Sequence, residues 1–92
     1  MGAEGFVASI DDVVAALEAM KSSLDSTSNE LTGVASEAGE THEALAMLGV
    51  EESAGHMEAC KSKIEDSIAQ FGAVVSAIDE AIQEALAAKG SP

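Results

Sequence analysis

The feature that most constrains this fold is an apolar residue at every seventh position over much of the chain. One series begins at Ile10, and a companion series begins three residues later at Val13. The two series are Ile10, Leu17, Leu24, Leu31, Ala38 and Leu45, and Val13, Met20, Thr27, Val34, Thr41 and Leu48. Such heptads in one register are typical of a long α-helix that packs along one side, whereas a β-strand would alternate at every second residue.

The second half of the chain shows the same repeat with a wider apolar stripe. Two series are Met57, Ile64, Phe71, Ile78 and Ala85, and Cys60, Ser67, Val74, Ala81 and Ala88. A third column at the flanking position contains Ile68, Val75 and Ile82. An apolar stripe of three columns is wider than the surface that a single facing helix can bury. We therefore expect Ile68, Val75 and Ile82 to form an exposed apolar strip that binds a partner.

The segment EALAMLGVEES, residues 43–53, is predicted to join two helices. Gly49 is expected in the left-handed conformation that ends a helix. Glu51 and Glu52 would lie near the positive end of the second helix dipole, and Ser53 would cap it. Ser9 is the predicted cap of the first helix. These signals predict a single domain over residues 1–92, with helix 1 at about 9–48, a turn at about 49–52 and helix 2 at about 53–89.

The centre of helix 1 contains weak helix formers, which cluster between residues 22 and 29. The heptads pass through this segment without a skip, so we expect one continuous helix, with a break near residues 26–30 as the alternative.

A turn near Gly49 places residue i of helix 1 opposite about residue 99 − i of helix 2. Phe71 would then face the small residues around Ser28, as close packing requires. The predicted fold is all-α, an antiparallel two-helix hairpin that dimerises into a four-helix bundle.

The charge of the chain limits the kinds of partner that it can bind. Four lysines stand against 17 acidic residues, for a net charge of −13. This charge argues against nucleic acid and against anionic membrane surfaces. No apolar run is long enough to span a membrane, and the N-terminus lacks the pattern of a secretory signal. We expect a cytoplasmic protein, or one exported by a route that uses no standard signal peptide.

The residues that could bind a metal ion are His42, His56 and Cys60, all near the predicted turn. His56 and Cys60 are four residues apart, a spacing that can place two ligands on one metal ion. However, His42 and His56 are predicted to flank opposite sides of the seam, and Cys60 occupies an apolar column. No catalytic or nucleotide-binding motif is present in the sequence. We therefore expect no metal site, no cofactor and no enzymatic activity.

This 92-residue acidic chain, with two long helices and a turn near its midpoint, resembles the WXG100, or ESAT-6-like, superfamily. Met47-Leu48-Gly49 occupies the place of the family's Trp-x-Gly turn; Gly49 matches, and Met47 stands where the family has Trp. The chain has no Tyr, so the family's C-terminal signal, a Tyr followed four residues later by an acid, has no counterpart. The resemblance implies a helical hairpin that dimerises into a four-helix bundle and takes part in type VII secretion.

The expected function is therefore that of a non-enzymatic interaction protein, either a type VII secretion substrate or the partner of a larger effector. Its partner would be a second copy or another helical protein of this kind. Binding would use the strip, with the turn as a second recognition point. The predicted partner-binding residues are Ile68, Val75, Ile82, Met47, Leu48 and Gly49. The alternative is a homo-oligomeric structural helical bundle with no export role.

Overall fold

The computed structural model describes the backbone of residues 3–90 and the side chains of residues 7–90. Two α-helices, α1 (Ala3–Met47) and α2 (Glu51–Gly90), account for the described chain apart from the short turn between them. They pack against each other as a rod with extents of 71 × 15 × 14 Å. The prediction of an all-α antiparallel hairpin is confirmed.

Helix α1 is continuous through its polar centre. Residues 22–39 are helical throughout, so the alternative of a break near residues 26–30 is wrong. Thr32 turns its hydroxyl back onto the helix and donates a hydrogen bond to the Ser28 carbonyl at 3.0 Å. Packing against α2 outweighs the weak local propensity, because most helical stability in proteins comes from tertiary contacts.

The turn is closed by the hydrogen bonds of a Schellman motif. The Val50 amide donates to the Leu45 carbonyl at 3.0 Å, and the Gly49 amide donates to the Ala46 carbonyl at 3.1 Å. Gly49 has a φ of 77°, and within the described chain it alone adopts this left-handed conformation. The predicted role of Gly49 is therefore confirmed, because a residue with a Cβ would be strained there.

Both helices begin earlier than predicted. Helix α1 starts at Ala3, not at a cap on Ser9, and the extra turns bring Val7 half-buried against the other helix. Helix α2 starts at Glu51, so Ser53 lies inside its first turn rather than before it. The Val50 carbonyl accepts the first hydrogen bond of α2, from the Ala54 amide at 3.0 Å.

The two helices meet along a seam of residues spaced by three and four. On α1 the seam residues are Val7, Ile10, Val14, Leu17, Lys21, Leu24, Ser28, Leu31, Ala35, Ala38, His42 and Leu45. On α2 they are Ala54, Met57, Lys61, Ile64, Ile68, Phe71, Val75, Ile78, Ile82 and Ala85. All of them are buried or half-buried; the most buried are Ala35, Ala38, Ala54, Ile78 and Ile82. Three of these five are alanines, and they lie in the half of the seam nearer the turn.

Ion pairs fix the register of the two helices. Lys21 Nζ lies 2.7 Å from Asp79 Oδ1, and Lys89 Nζ lies 2.7 Å from Asp11 Oδ1. The residue numbers in each pair add up to 100, one more than the predicted value. This register sets Phe71, which is half-buried in the seam, level with Ser28 and Asn29 in the polar centre of α1, close to the predicted position.

Candidate functional site

The predicted strip on α2 does not face away from α1. Ile82 is buried in the seam at 6 % exposure, and Ile68 and Val75 are half-buried there. These three residues pack in the seam between the two helices. The prediction that they form an exposed strip for a partner is therefore wrong. On α2 their column takes the place in the seam that the heptad pattern predicted for the Cys60 column. On α1 the column of Val14 and Lys21 takes the place predicted for the Val13 column.

The displaced columns instead form one exposed side of the hairpin, which we call the groove face. On α1 it comprises Val13, Met20, Thr27, Val34 and Thr41, and on α2 Cys60, Ser67, Val74, Ala81 and Ala88. All are exposed except Ser67, which is half-buried. Met20 is 56 % exposed, Val13 52 % and Val34 48 %. None of the ten carries a charge, in a chain whose residues are 23 % charged.

Depressions along this side show that the two columns share it. Met20 of α1 and Val74 of α2 line one depression, whose floor is formed by Leu24 and Ile78 of the seam. Another lies toward the open end of the hairpin, between Val13 and Ala85. A third lies toward the turn; Cys60, Ser67, Leu31 and Ile64 are among the residues that line it. The groove face is thus a shallow apolar trough that runs between the helices.

The opposite side of the hairpin is acidic. Asp11, Glu18 and Asp25 of α1 and Glu58, Glu65 and Asp79 of α2 follow one column on each helix. Lys21 of the seam reaches toward this side, and its hydrogen bond to Asp79 and the charge of Asp79 raise the pKa of Lys21. The hairpin therefore has two chemically different sides: one is anionic, and the other has two uncharged columns with Lys63 at the edge of its depression near the turn.

The histidines and the cysteine do not converge on one point. His42 lies in the seam, where Nδ1 is 2.8 Å from the Ala54 carbonyl oxygen and Nε2 is 3.0 Å from Glu58 Oε2. His56 and Cys60 line the trough on the other side. Among residues whose side chains are described, no group of three or more His, Cys, Asp or Glu is placed to hold a metal ion.

The predicted turn residues are exposed. Met47 is 88 % exposed and Leu48 77 % exposed. Gly49 follows them before α2, and no heavy atom lies within 4 Å of the position that a Cβ would take there. Their role in binding stays a prediction. The groove face was absent from the predicted site, although its signal, two heptad columns without a charge, was present in the sequence.

Within the described residues, neither helix has the length and apolar character needed to cross a membrane. No protein-family model matches the sequence, and neither a curated protein nor a solved structure is significantly similar to the chain.

Proposed function

We propose that this chain is a non-enzymatic interaction protein that binds helices on its groove face and so completes a four-helix bundle. The observation that carries the proposal is the uncharged trough of exposed Val13, Met20, Val34 and Val74 along the hairpin. Exposed apolar side chains collected on one uncharged face of a small protein are typical of an interaction site. Four-helix bundles bury such faces between antiparallel or parallel helix pairs.

The hairpin on its own has a thin core, which supports the same proposal. Among the described side chains five are buried, and three of those are alanines. A two-helix rod has no second layer over the trough, so the half-buried Leu24 stays in contact with solvent there. Helices laid on the groove face would cover both the rims and this floor, and would stabilise the hairpin by removing apolar area from water.

As part of this proposal, the chain acts as a WXG100-like type VII secretion substrate or effector partner. Two features support this: the hairpin form, and Gly49 with its φ of 77° at the place of the family's turn glycine. The alternative, a structural bundle with no export role, predicts that the chain stays in the producing cell. Quantifying the chain in culture medium, with and without an intact type VII secretion system, distinguishes the two.

The binding proposal is tested with paired variants two residues apart on the same helix, which point in different directions. Met20→Glu puts a charge on the groove face, and Ser22→Glu puts the same charge on an exposed position outside it. Tagged wild type and both variants are purified from the producing cell, and their bound proteins are compared by light scattering and mass spectrometry. We expect Met20→Glu to lose the bound species, whether a second copy or another protein, and Ser22→Glu to retain it.

The paired variants keep helicity comparable, because Glu is a good helix former at either exposed position. Val74→Glu and Ser76→Glu repeat the comparison on α2. If Met20→Glu and Val74→Glu retain the same bound species as their controls, the groove face is not an interface and the proposal fails.

A further inference from the structure

We infer that His42 is a pH-dependent clamp between the two helices, which holds the turn end of the hairpin more tightly when its imidazole ring is protonated. The inference does not depend on the proposed function, because the ring contacts Ala54 and Glu58 and neither belongs to the groove face. It follows from the contacts of both ring nitrogens, from their place beside the turn, and from the charges around the ring.

Both nitrogens of the His42 ring face an acceptor on α2. Nδ1 is 2.8 Å from the Ala54 carbonyl oxygen, and Nε2 is 3.0 Å from Glu58 Oε2. Only the protonated ring has an N–H group on both nitrogens. The imidazolium therefore donates two hydrogen bonds from α1 to α2, whereas the neutral ring donates one and turns a lone pair toward the other acceptor.

The exposure of the two acceptors decides which hydrogen bond the neutral ring keeps. The Glu58 side chain is 67 % exposed, so its carboxylate can turn away and bind water instead. The Ala54 carbonyl is fixed in the backbone of α2, and its contact with the ring is part-buried. Since a buried contact without a proton costs more than an exposed one, we expect the neutral ring to carry its proton on Nδ1 and to release Glu58.

The clamp completes a chain of hydrogen bonds around the turn. The Val50 amide donates to the Leu45 carbonyl, and the Ala54 amide donates to the Val50 carbonyl, both at 3.0 Å. His42 lies one helical turn before Leu45 and contacts the carbonyl of Ala54. The ring therefore ties the end of α1 to the first turn of α2, and its strength controls local opening of the hairpin at the turn.

His42 is the pH-sensitive member of the three ion pairs that join the helices among the described residues. Lys21 and Lys89 pair with aspartates of the other helix, and lysine stays charged around neutral pH. Histidine is the side chain that changes its charge between about pH 5 and 8, a range in which glutamate is ionised. The second hydrogen bond of His42 is therefore made at the acid end of this range and lost as the pH rises through it.

The charges around the ring are mostly acidic. From α2, Glu58 faces the ring, and Lys61 is the cation one turn further along. The stem of Lys61 lies against Gly39, with Nζ 3.5 Å from the position that a Cβ would take there. The acids around this end of the hairpin, on both helices, are Glu37, Glu40, Glu43, Glu51, Glu52 and Glu58. Protonation of His42 therefore adds a positive charge to a mainly negative neighbourhood, beside one competing lysine.

The clamp is tested with a double-mutant cycle of His42→Gln and Glu58→Gln, measured by urea unfolding at one protein concentration. The cycle cancels the contributions of the other titrating groups, which are shared by all four proteins. We expect the coupling between residues 42 and 58 to change the unfolding equilibrium constant by about threefold at about pH 5.5 and to fall toward onefold at about pH 8. A cycle of His56→Gln with Glu58→Gln is the matched control and should show little coupling at either pH, because His56 lies at the trough. Equal coupling of residues 42 and 58 at both pH values, or coupling that grows with pH, overturns the clamp.

A second measurement reads the ring directly in the wild-type chain, so it does not depend on whether the variants fold. Nitrogen-15 NMR spectra of the His42 ring should show protons on both nitrogens at about pH 5.5 and on Nδ1 alone at about pH 8. The ring of His56 provides the reference within the same sample. A His42 ring that stays neutral at the acid pH, or that carries its remaining proton on Nε2 at the higher pH, contradicts the proposed clamp.

Discussion

Ile82→Ala tests the assignment of the seam, because the sequence pattern placed Ile82 outside it. Ile82 is 6 % exposed, and truncation to Ala removes carbons that are nearly all out of contact with water. At about 0.8 kcal/mol per buried carbon, the loss of transfer free energy is about 2.4 kcal/mol. The better helix propensity of Ala returns about 0.4 kcal/mol, and a residual cavity adds to the cost. We expect the free energy of unfolding to fall by about 2–3 kcal/mol.

The assay is urea unfolding followed by circular dichroism, carried out in the Met20→Glu background so that the measurement reports the seam of a single hairpin. Leu86→Ala is the matched control, since Leu86 lies one helical turn further along α2 and is 43 % exposed. Partial exposure limits its expected cost to about 1 kcal/mol. Equal losses for the two variants, or a larger loss for Leu86→Ala, would refute the placement of Ile82 in the seam.

Two further predictions concern the turn and the ion pairs. Gly49→Ala should destabilise the hairpin by about 1 kcal/mol because residue 49 is left-handed, whereas Gly33→Ala should stabilise it. Neither site has a heavy atom within 4 Å of the new Cβ, so steric clashes do not contribute to the difference. Equal effects of the two variants in urea unfolding would contradict the strain argument. Asp79→Asn removes the carboxylate that raises the pKa of Lys21 above 10.5. The stability lost in Asp79→Asn should therefore be measurable at pH 8 and disappear as the pH rises through the raised pKa, while Glu65→Gln should show no such convergence with wild type.

The helices, the turn and the register could be predicted from the sequence because each has a local cause. The column of Ile10, Leu17 and Leu24 enters the seam as predicted. Gly49 ends α1 because a residue without a Cβ is needed there. The helix starts were predicted less well, since capping signals at Ser9 and Ser53 are weaker than the packing gained by extending each helix into the seam.

The second column of the seam could not be chosen by counting apolar residues. On α1 the true column contains Lys21, Ser28 and His42, whereas the rejected one contains Val13, Met20 and Val34. Lys21 and His42 enter the seam because their polar ends reach Asp79 and Glu58 at its edge, while their carbon stems pack beneath. Such partners lie on the other helix, and no single-helix pattern reveals them.

The error has a physical meaning, because each helix carries three columns that are apolar or uncharged except for their lysines, and a two-helix contact uses two of them. In α2 the apolar stripe is one column too wide because of Ile68, Val75 and Ile82. Which of the three columns stays outside the seam depends on the side to which α1 packs. The polar ends of Lys21, His42 and Lys89 pair with acids along one side. That side therefore becomes the charged one, and the uncharged column must lie on the other. A hairpin that pairs Lys21 and Lys89 with its own acids, and leaves Met20 and Val74 exposed, has these polar contacts on one side and its unburied apolar area on the other. This separation is the condition for a second helical layer to bind without breaking the ion pairs that hold the first.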